Sequence, residues 1–428
     1  MLVKAFDIKK GDIITITGAG GKTSLMFSLA RELASLGRVL VTTTTKIYVP
    51  HPDNFEELIT SDIKIKGNNK NIFIYGEKIE NGKLHSLSYE KIFDLKEKFD
   101  YILIEGDGAK ELKIKAWNDT EPCIPSFSNK VIGVVNLDIL NLKLNESNIH
   151  RFEIFKEKFK NFINMIVDKE FLVDYISKGD FFKNSSSDDK YIFFNGIDGD
   201  DYLNRFSTTL EVCNLLYKKN LSYKLILGSI KEGTFFKYSP TDAIVMASGY
   251  SRRMGENKLK LPYQDTTLLD YTFEKLSYIP FYNIYVCGRE EWVENLSKKY
   301  NYKYLENRLA HLGQSESIKL GVSNTTGEGV AFFTGDQPLL TRDTLLKIYF
   351  NFLKYKYITI PRAEGERFSP VFFPNNKKKE LLKLTGDVGG KEVIKNSPLI
   401  SFVEFPNKFE FLDIDTPEEY NLIKSLHK

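Results

Sequence analysis

The sequence predicts an α/β protein made of two tandem units, each a mostly parallel sheet covered by helices. Three features carry that expectation. Short β-branched runs alternate with helical patterns along the chain. The rhythm breaks once, near 231–241, where Gly233 and Pro240 interrupt it. Each series opens with a strand that runs straight into a glycine-bearing loop with basic residues. At 428 residues the chain has room for two large α/β domains, expected at 1–237 and 238–428.

In the first unit the strand-like runs fall at 13–17, 39–43, 101–104, 131–136, 191–194 and 225–227. In the second they fall at 243–247, 284–287, 330–333, 357–360 and 409–414. Parallel strands buried on both faces read as such continuous apolar runs. With 42% hydrophobic and 27% charged residues the chain can bury a core in each unit, which excludes a disordered protein.

Lys and Arg number 60 against 57 Asp and Glu, a formal charge of +3. That balance argues against nucleic acid as a partner, so an anionic ligand must be held locally. No apolar run reaches membrane-spanning length, and Lys4, Asp7, Lys9 and Lys10 break the N-terminus as a signal segment. Cys123, Cys213 and Cys287 lie far apart, and the 5 histidines show no metal-ligand spacing. The expected setting is cytoplasmic and reducing, without a membrane partner.

The run at 13–17 leads into Gly18-Ala19-Gly20-Gly21-Lys22-Thr23, followed by a helical pattern at 25–36 that Gly37 stops. Strand, glycine loop, Lys-Thr and helix is the order of a P-loop. Gly18, Gly20 and Gly21 let backbone N–H groups converge on phosphate oxygens, Lys22 reaches the terminal phosphates, and Thr23 ligates Mg²⁺. Ile16 stands where the full pattern has its first glycine, so the loop is of a shortened kind. The competing reading is a tight turn with an exposed lysine.

Glu105 and Asp107 follow the run at 101–104, on the edge where open α/β sheets bind ligands. Either they hold Mg²⁺ or orient a water, or they are carboxylates of a solvated turn. The hydroxyl-rich stretch 42–45 before Lys46 is either a γ-phosphate sensor or ordinary strand composition. Asn195-Gly196-Ile197-Asp198 has the outline of a guanine reader, but Gly196 replaces its lysine. ATP and GTP both stay open as ligands of this unit.

The run at 243–247 leads into Ser248-Gly249-Tyr250-Ser251-Arg252-Arg253-Met254-Gly255-Glu256-Asn257-Lys258. Backbone amides from Ala247, Gly249, Ser251 and Gly255 suit a triphosphate, while Arg253 and Lys258 neutralise a departing pyrophosphate. A basic surface loop is the plainer alternative. Asp336 follows the run at 330–333, and Asp413 and Asp415 alternate in the last predicted strand, which puts them on one face. Thr416-Pro417-Glu418-Glu419 reads as a capping box with proline at the first helical position.

This second loop resembles the molybdenum cofactor nucleotidyltransferases, whose pattern Leu-Ala-Ala-Gly-x-Ser-x-Arg-Met-Gly-x-x-Lys it leaves only at Met246 and Ser248. The resemblance spans about 241–428, through Gly313-Gln314-Ser315, Gly335-Asp336-Gln337-Pro338, Gly386-Asp387, Gly389-Gly390-Lys391 and Asp413-Ile414-Asp415. Gln337 and Leu261-Pro262 look like the cytidylyl branch, and Asn257 stands where the guanylyl branch usually has Asp. The first unit is similar to the selenium-dependent hydroxylase accessory proteins at 18–23, 42–46, 105–110 and 137–151, with Asn141 where glycine is expected.

Together the resemblances imply a P-loop-like domain fused to a Rossmann-like nucleotidyltransferase domain of the nucleotide-diphospho-sugar transferase kind. The implied reaction transfers CMP from CTP to molybdopterin, with Arg253, Lys258 and Asp336 catalytic and Mg²⁺ on Asp336 and Asp415. Gly313, Gln314 and Ser315 are expected to read the base, and Asp387 and Lys391 to face the pterin. In place of the family's His-Pro pair the chain has Ser369-Pro370 after Arg367-Phe368. The implied partner of the fusion is a molybdenum hydroxylase under maturation. The competing functions are CTP- or UTP-dependent transfer to another phosphate, or a nucleotide-switched molybdenum cofactor chaperone.

Overall fold

The computed structural model describes residues 1–60, 71–251 and 254–425. Arg253, expected in the phosphate loop, lies outside the described residues. The chain divides into two compact units, Met1–Tyr238 and Ser239–Lys428.

The first unit is built on a sheet of nine strands: β1 (Ile13–Gly18), β2 (Val39–Thr43), β3 (Glu57–Ile59), β4 (Ile72–Tyr75), β5 (Tyr101–Glu105), β6 (Lys130–Asn136), β7 (Asp189–Asn195), β8 (Lys224–Ser229) and β9 (Thr234–Lys237). Their spatial order is β9-β8-β7-β6-β1-β5-β2-β4-β3, and every pair is parallel except β8 with β9. Strand β1 is central and buried along its whole length, which its Ile-Ile-Thr-Ile-Thr run requires. Helix α1 (Lys22–Ala34) buries Leu25, Met26, Leu29, Ala30 and Leu33 against the sheet in one cluster with Ile14, Ile16, Val39 and Val41. That i, i+4, i+8 stripe fixes the direction in which its first turn points. The helix starts earlier than the apolar pattern at 25–36, because Lys22, Thr23 and Ser24 form a polar first turn.

The second unit is built on a sheet of eight strands: β10 (Thr241–Ala247), β11 (Ile284–Gly288), β12 (Lys303–Glu306), β13 (Gly329–Thr334), β14 (Ile358–Ala363), β15 (Glu366–Arg367), β16 (Val371–Pro374) and β17 (Ile400–Phe405). The order is β12-β11-β10-β13-β16-β14-β15, with β17 also paired to β14. Strands β10 to β13 are parallel, and β16 runs antiparallel between β13 and β14. Loops at the carboxyl ends of β10 and β13 are thereby placed side by side, the position in which open α/β sheets bind ligands.

The strand expected at 409–414 is absent. Residues Phe409–Phe411 form a 3₁₀ turn, and the last strand is Ile400–Phe405, paired in parallel with β14. Phe411 packs instead beneath Phe368, their rings stacked 5.3 Å apart. Asp413 and Asp415 therefore do not share a strand face; Ile414 between them bonds through its N–H to the Asp336 carbonyl at 3.1 Å. The capping box is formed: the Glu419 N–H donates to Thr416 Oγ1 at 3.3 Å and the Thr416 N–H to Glu419 Oε2 at 2.9 Å. No helix among the described residues is long and apolar enough to cross a membrane.

Candidate functional site

In the second unit a cavity of about 510 Å³ opens at the carboxyl ends of β10 and β13. Ser248 anchors the start of its loop by donating to the Cys287 carbonyl at 2.8 Å. Ser251 adopts a left-handed backbone, φ +48°, and its hydroxyl accepts from the Lys258 N–H at 3.2 Å. This folds the loop back and aims Lys258 into the cavity. There Lys258 Nζ donates to Asp336 Oδ2 at 2.5 Å and to Asp415 Oδ1 at 2.6 Å. Burial works to lower the lysine's pKa, but the two carboxylates raise it above its ordinary value. The adjacent Asp413 carboxyl is pushed up to about 7 by burial and by the charges of Asp336 and Asp415.

Asp336 Oδ1 is buried and has no hydrogen-bond partner. Among the described residues no three His, Cys, Asp or Glu side chains are gathered as a ready metal site. Two carboxylates are nevertheless what Mg²⁺ takes from a protein when a triphosphate and water complete its shell. Asp336 with its orphaned oxygen, and Asp415 beside it, fit that role.

A second cavity of about 800 Å³ adjoins the first; Met246, Gln314, Thr334 and Asp387 line both. Its wall is cationic and aromatic, with Arg367, Lys391, Lys395, Phe332, Phe368 and Phe373. A planar anionic molecule suits such a surface.

Of the residues expected at this site, Gly249, Ser251, Lys258, Gly313 and Asp336 line the first cavity, Lys391 the second, and Gln314 and Asp387 both. Ala247, Gly255, Ser315 and Asp415 line neither. Ala247 is buried in its strand and Gly255 supplies a turn at φ +73°. Ser315 is fully buried, with its N–H bonded to the Gly386 carbonyl at 3.3 Å and its hydroxyl oxygen without a hydrogen-bond partner. Gln337 is buried too and donates to the Phe411 carbonyl at 3.1 Å. Sequence reasoning missed Tyr250, Thr334 and Lys395. The register that sets Met246 opposite Thr334 at the ends of two neighbouring strands was not visible in the chain.

In the first unit the glycine loop follows β1 and Lys22 opens α1. Lys22 is only 5% exposed, which removes the exposed-lysine reading. Its ammonium donates to the Gly18 carbonyl at 2.8 Å and lies 3.2 Å from Asp107 Oδ1 and 3.8 Å from Glu105 Oε1. Thr23 donates to Glu105 Oε2 at 3.2 Å, and the Gly18 N–H to Asp107 Oδ2 at 3.0 Å. Burial raises the pKa of Glu105, with Lys22 opposing it. The loop glycines are required: at φ +97° a Cβ on Gly18 would lie 2.4 Å from the Val134 carbonyl oxygen, and one on Gly20 would lie 2.6 Å from Asn136 Cβ.

Asp107 does more than face Lys22. It also accepts from Trp117 Nε1 at 2.5 Å and pairs at 3.0 Å with Lys115, a lysine fully withdrawn from solvent. Lys115 in turn pairs with Glu121 at 2.9 Å, and Arg151 clasps Glu121 with both terminal nitrogens. Two expectations change here. Thr42, Thr43 and Thr44 donate to the carbonyls of Tyr75, Glu105 and Cys123, so these hydroxyls brace loops. Asn195 accepts from the Ile230 N–H at 3.1 Å and Asp198 accepts from Ser229, so the guanine-reader outline is used within the fold.

A glycine-loop α/β unit joined to a nucleotidyltransferase unit is the class that these sites define. Residues 14–153 match the family described as YqeC protein, and residues 243–400 match the MobA-like NTP transferase domain. The chain is thus a fusion of a YqeC-like domain with a MobA-like NTP transferase domain. It is 36% identical over 163 residues, 35% of its length, to the uncharacterized protein YqeC of Escherichia coli, and it spans 61% of that protein. Across 42% of the chain it is 26% identical to the purine catabolism protein PucB of Bacillus subtilis, covering 94% of it. Across 42% it is 27% identical to the molybdenum cofactor cytidylyltransferase of Escherichia coli, also covering 94%.

Proposed function

We propose that the second unit transfers CMP from CTP to the terminal phosphate of molybdopterin, forming the cytosine dinucleotide cofactor and releasing pyrophosphate. The observation that carries this reading is Lys258 held between Asp336 and Asp415 where a glycine-loop cavity adjoins a cationic, aromatic one. Relatives named for molybdenum cofactor cytidylyl transfer support it.

The chain's own residues set up the reaction by alignment and charge. Backbone groups at 248–251 receive the triphosphate, and Lys258 exchanges its carboxylate partners for phosphate oxygens as the nucleotide enters. Arg367, Lys391 and Lys395 draw the anionic acceptor into the adjoining cavity. A phosphate monoester has its second pKa near ~6, so the attacking oxygen is already ionised at neutral pH and no general base is needed. Asp336 and Asp415 would hold Mg²⁺, which when bound would supply charge neutralisation for the transfer. The acceptor P–O⁻ attacks the α-phosphorus, the P–O–P link forms, and pyrophosphate leaves. Asn257 in place of Asp supports CTP over GTP, although its amide is engaged with Glu290 at 2.7 Å.

The first unit binds ATP or GTP through Gly18, Gly20, Gly21, Lys22 and Thr23 and serves maturation of a selenium-dependent molybdenum hydroxylase. Its support is Lys22 buried beside Glu105 and Asp107, with Thr23 donating to Glu105. The test is pyrophosphate release and product mass with full-length chain, molybdopterin, Mg²⁺ and each of CTP, GTP, ATP and UTP. A dinucleotide formed with CTP supports the reading; turnover only with a different triphosphate or a sugar phosphate overturns it.

A further inference from the structure

Between the two cavities of the second unit, the segments around 313–315 and 386–389 are fastened to each other at four points. Asp387 Oδ1 accepts from the Gln314 N–H at 3.1 Å, capping a helix, Gln314–Asn324, whose own N-cap residue Gly313 offers no side chain. The Ser315 N–H donates to the Gly386 carbonyl at 3.3 Å. Gly313, at φ +117°, lies so close that a Cβ there would be 2.6 Å from the Asp387 nitrogen and from Gly386 C and O. A Cβ on Gly389 would be 2.6 Å from Gln314 Oε1.

Gly313 lines the first cavity and Gln314 and Asp387 line both, whereas Gly389, Gly390, Lys391 and Lys395 line the second and not the first. One backbone hydrogen bond, one side-chain cap and close backbone contact join the two segments, so a shift of either strains the other. A carboxylate also repels an anionic acceptor, which makes Asp387 a poor direct ligand for phosphate.

We propose that Asp387 is a positioning residue. It ties the wall of the nucleotide cavity to the loop that carries Lys391, so that nucleotide binding orders the acceptor cavity. The inference rests on the nucleotidyl-transfer reading above and adds the order in which the site is assembled: triphosphate first, anionic acceptor second. By linkage, whatever the nucleotide does to the acceptor loop the acceptor returns to nucleotide affinity.

The test is amide hydrogen exchange of the full chain with and without CTP and Mg²⁺, read at 389–395, beside calorimetry of CTP binding. In the wild type CTP should slow exchange there by about fivefold or more, the lower end of ordinary couplings. Asp387→Ala, which removes the cap, should still bind CTP but lose that protection. Asp387→Asn keeps an acceptor oxygen for the Gln314 N–H and should retain it. Gly313→Ala, which forces the segments apart, should lose it independently. Protection that persists in Asp387→Ala or Gly313→Ala overturns the inference alone, as does its loss in Asp387→Asn. Failure of the wild type to bind any of the four triphosphates overturns the transfer reading and this inference together.

Discussion

Lys258 Nζ sits 2.5 Å from Asp336 Oδ2, a contact that joins the glycine loop after β10 to the turn after β13. The same ammonium reaches Asp415 at 2.6 Å, so either carboxylate can be removed without stranding the lysine. Asp336→Ala should therefore leave the fold intact, with a melting temperature close to that of the wild type. Pyrophosphate release should nevertheless fall by about a hundredfold or more, on the scale of losing one preorganised charge partner. Wild-type turnover in this variant would remove Asp336 from the mechanism.

Lys115 offers the opposite case. It is fully buried between Asp107 at 3.0 Å and Glu121 at 2.9 Å, and its removal leaves Asp107 with Lys22 and Glu121 with Arg151 as the remaining cations. Lys115→Met should cost up to about 3–5 kcal/mol in denaturant unfolding of the first unit, the upper end being the penalty for breaking a buried pair with no second cation to hand. Adding Glu121→Gln to that variant should recover part of the loss. An unchanged midpoint would show that Asp107 and Glu121 find other partners.

The fold was legible at many of the short continuous apolar runs, as at 13–17 or 101–104, while Ile72–Tyr75, a buried run of the same kind, was passed over. Strand β3, Glu57–Ile59, has only three residues, and its burial comes from pairing with β4, a long-range contact that local composition does not encode. At the far end, Phe409 and Phe411 read as strand residues, yet Ile400–Phe405 takes the edge of β14 and leaves them to a turn. The glycine loops were visible because they need glycine at particular positions. The buried network of Lys115, Glu121 and Arg151 was not visible, since charged residues scattered over 115–151 look like surface until the chain brings them together. Ser315 falls outside both cavities for the converse reason: motif spacing places a residue in a segment without saying which way its side chain turns.

For the first unit, Lys22→Ala tests the phosphate loop. The ammonium is held 3.2 Å from Asp107 and bonded to the Gly18 carbonyl, poised at the mouth of the glycine loop. ATP or GTP affinity should drop by about tenfold or more, as expected when a charge-assisted contact worth roughly 1.5–3 kcal/mol is lost. Calorimetry on the full chain separates this from binding in the second unit, because CTP affinity should stay unchanged. Equal purine nucleotide affinity in wild type and variant would deny the loop its proposed role.

Lys356 carries a pH prediction. It follows the helix Arg342–Tyr355 in a left-handed conformation, φ +56°, with its ammonium nitrogen buried and lacking a hydrogen-bond partner. Burial lowers its pKa to about 7, only partly opposed by Glu328. In the unfolded chain the lysine keeps its proton up to about 10.4. Between these values the unfolded state binds more protons, so this residue makes stability rise with pH. Below pH 7 both states are charged and the full burial penalty applies; above about 10.4 both are neutral and it vanishes. Lys356→Met should accordingly be more stable than the wild type at neutral pH by an amount on the order of a few kcal/mol. The advantage should shrink steadily as urea titrations are repeated from pH 7 to pH 10. A gap that stays constant over that range would mean that the lysine is charged in the folded protein throughout.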